Sequence, residues 1–308
     1  MSLALNVDGT SPGLTDKEVE RFRLLLSTFQ DGSGMLLTMK AKKLNKKLGA
    51  GTGHIRRGGQ FDPQVMLREA QTTGTLPGWR DLERVVAMSF SGLALESKAI
   101  FDVIIPHSEG YIYGISCKMR AQLNAATKIN GRVNIEVSNA AGRFMNDLLT
   151  SGKGITADNL RLYPQDAGEA LFKRVKQFHE VASTETGGII NISRSSYLIL
   201  QYNNRGSYQL FQYSLTFPDW KTLTWSFPEG GKRLVGCDAT GGKTIEWYPN
   251  SGGQLKYYPL STSALWKSTI FELEPIPSTL AQHSIINRAV EYFPDQWRAS
   301  NNQGILLM

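Results

Sequence analysis

Two apolar runs that each carry one charged residue constrain the fold of this chain more than any other feature. The first run, residues 99–105, is followed by the turn-forming segment 106–110 and then by a second run, residues 111–118. β-Branched and aromatic runs bounded by Pro, Ser and Gly predict a β-hairpin. Asp102 interrupts the first run, and Lys118 closes the second. Because charged groups in an apolar hairpin are costly when unpaired, we expect these two side chains to pair with each other or to bind a ligand.

The composition indicates a soluble globular protein. The chain has 308 residues, enough for one large domain or two ordinary ones. It has no apolar run long enough for a transmembrane helix, and its first residues lack the pattern of a signal peptide. The two cysteines, Cys117 and Cys237, are too few to form a metal cluster by themselves. We therefore expect free thiols in a reducing cytoplasm and no membrane partner.

The charge distribution favours a polyanionic partner. The net charge is +7 and the isoelectric point is about 9.3. Residues 32–61 contain no acid, and neither do residues 110–135. The first window carries the cations Lys40, Lys42, Lys43, Lys46, Lys47, Arg56 and Arg57, and the second carries Lys118, Arg120, Lys128 and Arg132. A solvated surface would explain such windows, but a phosphate-contacting surface explains them better.

The order of elements predicts an α/β (α+β) protein with a mixed central β-sheet and a β-rich C-terminal part. Thr15 and Glu18 have the spacing of a capping box and predict a helix start. Hydrophobic periodicity predicts helices at 15–29, 62–71, 79–88, 132–149, 164–181 and 280–293. Strand patterns, in addition to the hairpin, occur at 196–202 and 208–215 and near 221–226, 243–248, 254–260 and 264–273. We divide the chain into an N-terminal helix and basic arm (1–61), a core (62–215) and a β-rich region (216–308), which either is separate or completes the core.

Phosphodiester hydrolysis is the chemistry that the hairpin charges suggest. It uses a divalent cation such as Mg²⁺, which prefers carboxylate oxygens, and a nearby ammonium can position the attacking water. Asp102 and Lys118 supply two of these groups, and Glu96 and Glu136 are candidates for a second carboxylate. The four histidines show no metal-ligand spacing. No phosphate-binding glycine loop or nucleophile elbow is present, so we expect no nucleotide cofactor.

Glu96, Asp102 and Ser116-Cys117-Lys118 together resemble the motif of the PD-(D/E)xK nucleases, as it occurs in type II restriction endonucleases. In that family an Asp on one strand and an acid-x-Lys on the next bind Mg²⁺, and an upstream acid, often from a helix, completes the site. Here Ser116 stands at the acid position. Some restriction enzymes that read CCGG-containing sites have Ser-x-Lys there and take the missing carboxylate from the following helix, a position that Glu136 fits. The resemblance covers residues 80–150.

The resemblance implies a restriction-endonuclease-like core and a Mg²⁺-dependent, sequence-specific double-stranded DNA endonuclease. It also implies a homodimer in the bacterial or archaeal cytoplasm. Asp102, Lys118, Ser116 and one of Glu96 or Glu136 would form the site. The candidates for DNA contact are Lys42, Lys43, Lys46, Lys47, Arg56, Arg57, Arg120, Gln122, Asn124, Lys128 and Arg205. Because Ser116 stands at the acid position, a DNA-binding protein that does not cut, or a degraded nuclease, is an alternative. A further alternative is an RNA-binding or RNA-processing protein, in which the aromatic residues of the C-terminal half would stack on bases.

Overall fold

A computed structural model describes residues 14–31, 77–90, 92–94, 101–106, 110–138, 141–228, 231–249, 253–274, 289–290 and 293–301. The predicted basic arm with Lys42, Lys43, Lys46, Lys47, Arg56 and Arg57, the predicted helix 62–71 and Glu96 lie outside these ranges. Most of the predicted helix 280–293 also lies outside them. Within these ranges the protein has a mixed α/β fold, as predicted.

Six helices occur in the described ranges. They are α1 (Asp16–Ser27), α2 (Trp79–Ser89), α3 (Leu123–Ala126), α4 (Ala141–Leu149), α5 (Pro164–Ala182) and α6 (Pro294–Asn301). The capping box at the start of α1 is confirmed, since the Thr15 side chain accepts from the Glu18 amide and the Glu18 carboxylate accepts from the Thr15 amide. None of the described helices is long and apolar enough to cross a membrane.

The first sheet is mixed and contains the predicted hairpin. Its strands are β1 (Leu93–Ala94), β2 (Val103–Pro106), β3 (Ile112–Arg120), β5 (Ser196–Tyr202), β6 (Ser207–Ser214), β11 (Trp266–Lys267) and β12 (Phe271–Glu272). The strands β2 and β3 pair antiparallel, with Val103 opposite Ile115. The strand β5 returns through α5 to lie parallel to β3, and all other pairs are antiparallel.

The second sheet is antiparallel and takes strands from both sides of α5. It is formed by β4 (Ile135–Ser138), β7 (Thr224–Ser226), β8 (Leu234–Cys237), β9 (Lys243–Tyr248) and β10 (Gln254–Tyr257), in the order β4-β10-β9-β8-β7. The region after residue 215 therefore contributes β7 to β10 to this sheet, and β11 and β12 to the first sheet. In return, β4 from the predicted core joins the second sheet.

Three apolar clusters hold these layers together. One lies on the face of the first sheet that α1, α2 and α6 cover, and includes Phe22, Val86 and Leu200. A second lies between the second sheet and the helices α4 and α5, and includes Phe144 and Trp247. The third lies on the opposite face of the first sheet, where β4 and α3 pack against β5 and β6. The first sheet is thus covered on both faces.

The predicted helix 132–149 is wrong in its first half. Residues 135–138 form β4, and only Ala141–Leu149 is helical. The apolar residues Val133 and Ile135 are fully buried and alternate in sequence with the polar residues Asn134 and Glu136, which is the period of a strand. Helical spacing fitted the same residues because the apolar run is short. As a result, Glu136 lies on a strand and not on the helix where it was expected.

The strand β8 was not predicted, because Gly236 interrupts its apolar run. Gly236 packs against the Trp225 ring, and a Cβ there would lie 3.0 Å from that ring. Gly114 in β3 is more constrained, since a Cβ would lie 2.2 Å from the Phe101 ring. Phe101 directly precedes Asp102, so this close approach fixes the chain at the entry to β2.

Candidate active site

Asp102 and Lys118 form an ion pair in the first sheet, where the chain enters β2 beside β3. The Lys118 Nζ lies 2.8 Å from Asp102 Oδ2, and both side chains are about three-quarters buried. The same oxygen accepts hydrogen bonds from the Cys117 amide at 2.7 Å and from the Ser116 hydroxyl at 3.2 Å. The hairpin register produces this arrangement, since Asp102 directly precedes Val103, the partner of Ile115. Three donors therefore hold Asp102 in one orientation, with Oδ1 engaged by no described donor.

Glu83 on α2 brings a second carboxylate to the same place. Its side chain lines a cleft of about 380 Å³ together with Asp102, Lys118 and Glu136. Glu83 is only 7% exposed. Burial, reinforced by the negative charge of Asp102, raises the pKa of Glu83 to about 7, although Arg80, Lys118 and Arg84 act in the opposite direction. The two carboxylates are thus close enough for their charges to repel each other.

The donor set of the cleft fits Mg²⁺ in its oxygen chemistry. Mg²⁺ commonly binds through one or two carboxylates and completes its shell with water and substrate phosphate. Asp102 Oδ1 and the Glu83 carboxylate provide such a pair, and a cation between them would relieve their repulsion. No group of three or more His, Cys, Asp or Glu side chains that could hold a metal occurs in the described part of the chain. The two carboxylates would therefore hold the ion with help from water and phosphate.

Glu136 lines the cleft but is bound to Arg120. The Glu136 carboxylate accepts a hydrogen bond from Arg120 Nη2. Burial acts to raise the pKa of Glu136, but hydrogen bonds from Gln254 and Arg120 outweigh it, so that the pKa is lowered. Glu136 is therefore an ionised carboxylate on the cleft wall, next to Lys118 and Asp102 but already paired. Glu96 lies outside the described ranges.

The predicted DNA-contacting residues beyond Arg120 cluster near α3. Gln122, Asn124 and Lys128 are exposed on or beside α3. Asn203 in the β5–β6 turn donates to Asn124 at 3.1 Å, and this bond brings the exposed Arg205 to the same end of the sheet. The structure thus places these polar side chains together, whereas Arg120 points into the cleft.

Comparison with known proteins does not assign the chain to a family. No family model matches the sequence, and neither a curated protein nor a solved structure matches it. The geometry of the cleft is therefore the basis on which a function can be proposed.

Sequence reasoning missed Glu83, although a signal for it was present. The motif that the hairpin resembles includes an upstream acid, often on a helix, and the predicted helix 79–88 contains Glu83. We instead chose Glu96, which follows that helix. The apolar stripe of that predicted helix consists of Leu82, Val85 and Val86, and periodicity alone places Glu83 outside it. In the structure α2 packs against both α1 and the first sheet, so that its buried arc is wider and includes Glu83.

Proposed function

We propose that the protein is a Mg²⁺-dependent, sequence-specific double-stranded DNA endonuclease with a restriction-enzyme-like core. The observation that carries this proposal is the convergence of Glu83, Asp102 and Lys118 in one open cleft at the end of a hairpin in a mixed sheet. Two carboxylates beside a lysine form the smallest set of groups that metal-assisted phosphodiester hydrolysis needs. The positive net charge of +7 agrees with an anionic polymer as substrate.

Each residue of the cleft has a defined role in this proposal. Asp102 Oδ1 and Glu83 would hold Mg²⁺, which when bound offsets charge on the phosphate and helps to form hydroxide. The Cys117 amide and the Ser116 hydroxyl keep Asp102 in the orientation that leaves Oδ1 free for this task. The Lys118 ammonium lies beside Asp102 and would position the attacking water and stabilise the charge that develops on the phosphate.

The test is cleavage of plasmid DNA with Mg²⁺ against a control with EDTA. We expect discrete fragments from the wild type and at least a hundredfold (order-of-magnitude) slower cleavage from Asp102→Ala, Lys118→Ala and Glu83→Gln, with DNA binding retained. Lys176→Gln is the matched control, because Lys176 is an exposed lysine on α5, away from the cleft. Wild-type cleavage rates in Asp102→Ala or Lys118→Ala would refute the assignment.

A second candidate is a DNA-binding protein that does not cut. Ser116 favours it, because the hydroxyl at the motif's acid position donates to Asp102 and adds no carboxylate. In that case the EDTA and Mg²⁺ samples would both show intact plasmid, while a gel shift would persist. We further propose a homodimer in the bacterial or archaeal cytoplasm, since a two-fold protein matches a palindromic site.

A further inference from the structure

The outer face of the second sheet carries an ordered set of charges. On β9, Ile245 and Trp247 pack towards α4 and α5, so that Glu246 points to the opposite face. Lys256 on β10 lies between two acids in the cross-strand register, opposite Glu136 on one side and Glu246 on the other. We define the basic sheet face as five charged side chains on or beside this sheet together with Arg120 of β3, which binds Glu136. The five are Glu136, Arg233, Lys243, Glu246 and Lys256.

A buried carboxylate organises half of the basic sheet face. The Glu246 side chain is only 1% exposed, and it accepts hydrogen bonds from Arg233 at 2.8 Å, Lys243 at 3.0 Å and the Tyr258 hydroxyl at 2.6 Å. Arg233 and Lys243 themselves are 46% and 40% exposed. Glu246 thus holds two cations in fixed positions at the surface, and so lowers the entropy that each would lose on binding a ligand.

Tyrosine rings support the lysines of this face. The Lys243 ammonium lies 4.3 Å from the centre of the Tyr258 ring, and the Lys256 ammonium lies 4.8 Å from that of Tyr248. Lys256 Nζ donates no hydrogen bond to another described residue, so its donors are available to a ligand. The four cations of the face outnumber its two carboxylates, which leaves an excess of positive charge.

The basic sheet face is continuous with the cleft. Glu136 belongs to both, since it lines the cleft beside Asp102 and lies opposite Lys256 across the strands. Arg120 binds Glu136 and is also close enough for its charge to act on the Tyr258 hydroxyl. Arg120 and Glu136 therefore lie where the cleft adjoins the basic sheet face, and Lys256 is the cross-strand neighbour of Glu136.

We propose that the basic sheet face binds the phosphate backbone of duplex DNA on one side of the phosphodiester that lies in the cleft. This inference rests on the proposed function for the position of the scissile bond. Its physical basis is charge complementarity, because ordered and part-exposed cations next to the cleft match the regular phosphates of a duplex. Backbone contacts of this kind position the duplex and do not read its sequence.

The test measures binding without cleavage. A fluorescent duplex of about 30 base pairs is titrated with the full chain in EDTA at several salt concentrations, and anisotropy gives the affinity. We expect Lys256→Gln to lower the slope of log K against log salt by about 0.9, which corresponds to about eightfold weaker binding near 0.1 M salt. The double variant Lys243→Gln/Lys256→Gln should lose about twice that slope. Thermal melting checks that each variant is folded. If the loss of Lys243 destabilises the double variant around Glu246, the single variant Lys256→Gln is enough to test the inference.

Lys176→Gln is the matched control, since it removes the same charge from α5 on the far side of the second sheet. Wild-type affinity and slope in Lys256→Gln, an equal loss in Lys176→Gln, or a loss seen only with duplex RNA would each overturn the inference. If the wild type cleaves DNA but Lys256→Gln binds DNA as tightly as the wild type, this surface is refuted and the proposed nuclease activity stands. If DNA binding depends on Lys256 but the wild type does not cleave DNA in Mg²⁺, the binding surface is supported and the nuclease activity is refuted.

Discussion

Replacing Glu83 with Gln should stabilise the protein at alkaline pH. Glu83 is 7% exposed and faces Asp102, and its pKa is raised to about 7 from 4.5. In the folded state the carboxyl keeps its proton up to about pH 7, whereas in the unfolded state it ionises near its usual pKa. The folded state therefore binds more protons between these values, so stability falls as the pH rises through this window and remains lower above it. Glutamine has a similar shape but no charge to lose.

The magnitude follows from the two pKa values. The raised pKa lowers the stability of the wild type by about 3 kcal/mol at about pH 8, where the buried carboxylate is ionised, and by about 1 kcal/mol at about pH 5, where only the unfolded state has lost the proton. The free energy of unfolding of Glu83→Gln relative to the wild type should therefore increase by about 2 kcal/mol between these two pH values. Bound Mg²⁺ would favour the ionised carboxylate, so millimolar Mg²⁺ at about pH 8 should stabilise the wild type more than the variant.

Urea denaturation followed by tryptophan fluorescence at both pH values, with and without Mg²⁺, measures these differences. Glu185→Gln is the control, because it makes the same change at an exposed position in the turn after α5. If the difference between wild type and Glu83→Gln does not change with pH, Glu83 does not occupy a buried site beside Asp102. If Mg²⁺ stabilises both proteins equally, Glu83 is not one of its ligands.

Three further substitutions test the supports of the two charged sites. Gly114→Ala places a Cβ 2.2 Å from the Phe101 ring, so we expect the urea midpoint to fall, with a loss of about 1–3 kcal/mol and slower cleavage; an unchanged midpoint would contradict the packing. Ser116→Ala should cost about 1 kcal/mol and slow cleavage by less than about tenfold, since Cys117 and Lys118 still hold Asp102. Glu246→Gln should cost about 2 kcal/mol near neutral pH, measured by the same denaturation. Because the pKa of Glu246 is lowered in the folded state, this difference should disappear as the pH falls through that lowered pKa; a difference that is independent of pH would contradict the ion pairs.

The parts of the fold that local chemistry specifies were predictable from the sequence. The capping box at Thr15 marks the start of α1, and the turn between 202 and 207 marks the pairing of β5 with β6. The strand β4 was not predictable in this way, since a four-residue apolar alternation also fits a helix. Its partner β10 lies more than a hundred residues later, and only tertiary pairing decides between the two structures.

The same distinction between local and tertiary determinants applies to the candidate site. Asp102 and Lys118 could be paired from the sequence because a hairpin fixes their register within a few residues. Glu83 could not be placed by periodicity, since its burial depends on the simultaneous packing of α2 against α1 and the first sheet. Glu136 was expected on a helix, but it lies on β4, and its carboxylate is paired with Arg120. Glu136 pairs with Arg120 because β3 and β4 come together at the cleft. No local sequence pattern predicts that these two strands come together.

The charge balance of the cleft connects the chemistry to the residue at position 116. With Glu83 and Asp102 ionised, Lys118 neutralises one of two negative charges, and the three groups together are negative. A phosphodiester is also negative, so this set would repel its substrate unless a cation lies between the carboxylates and the phosphate. A divalent cation reverses the sign and makes the set attractive to phosphate. A third acid at position 116 would return it to neutrality, whereas Ser116 orients Asp102 and adds no charge. The serine is therefore consistent with metal-dependent cleavage, provided that Glu83 supplies the second carboxylate.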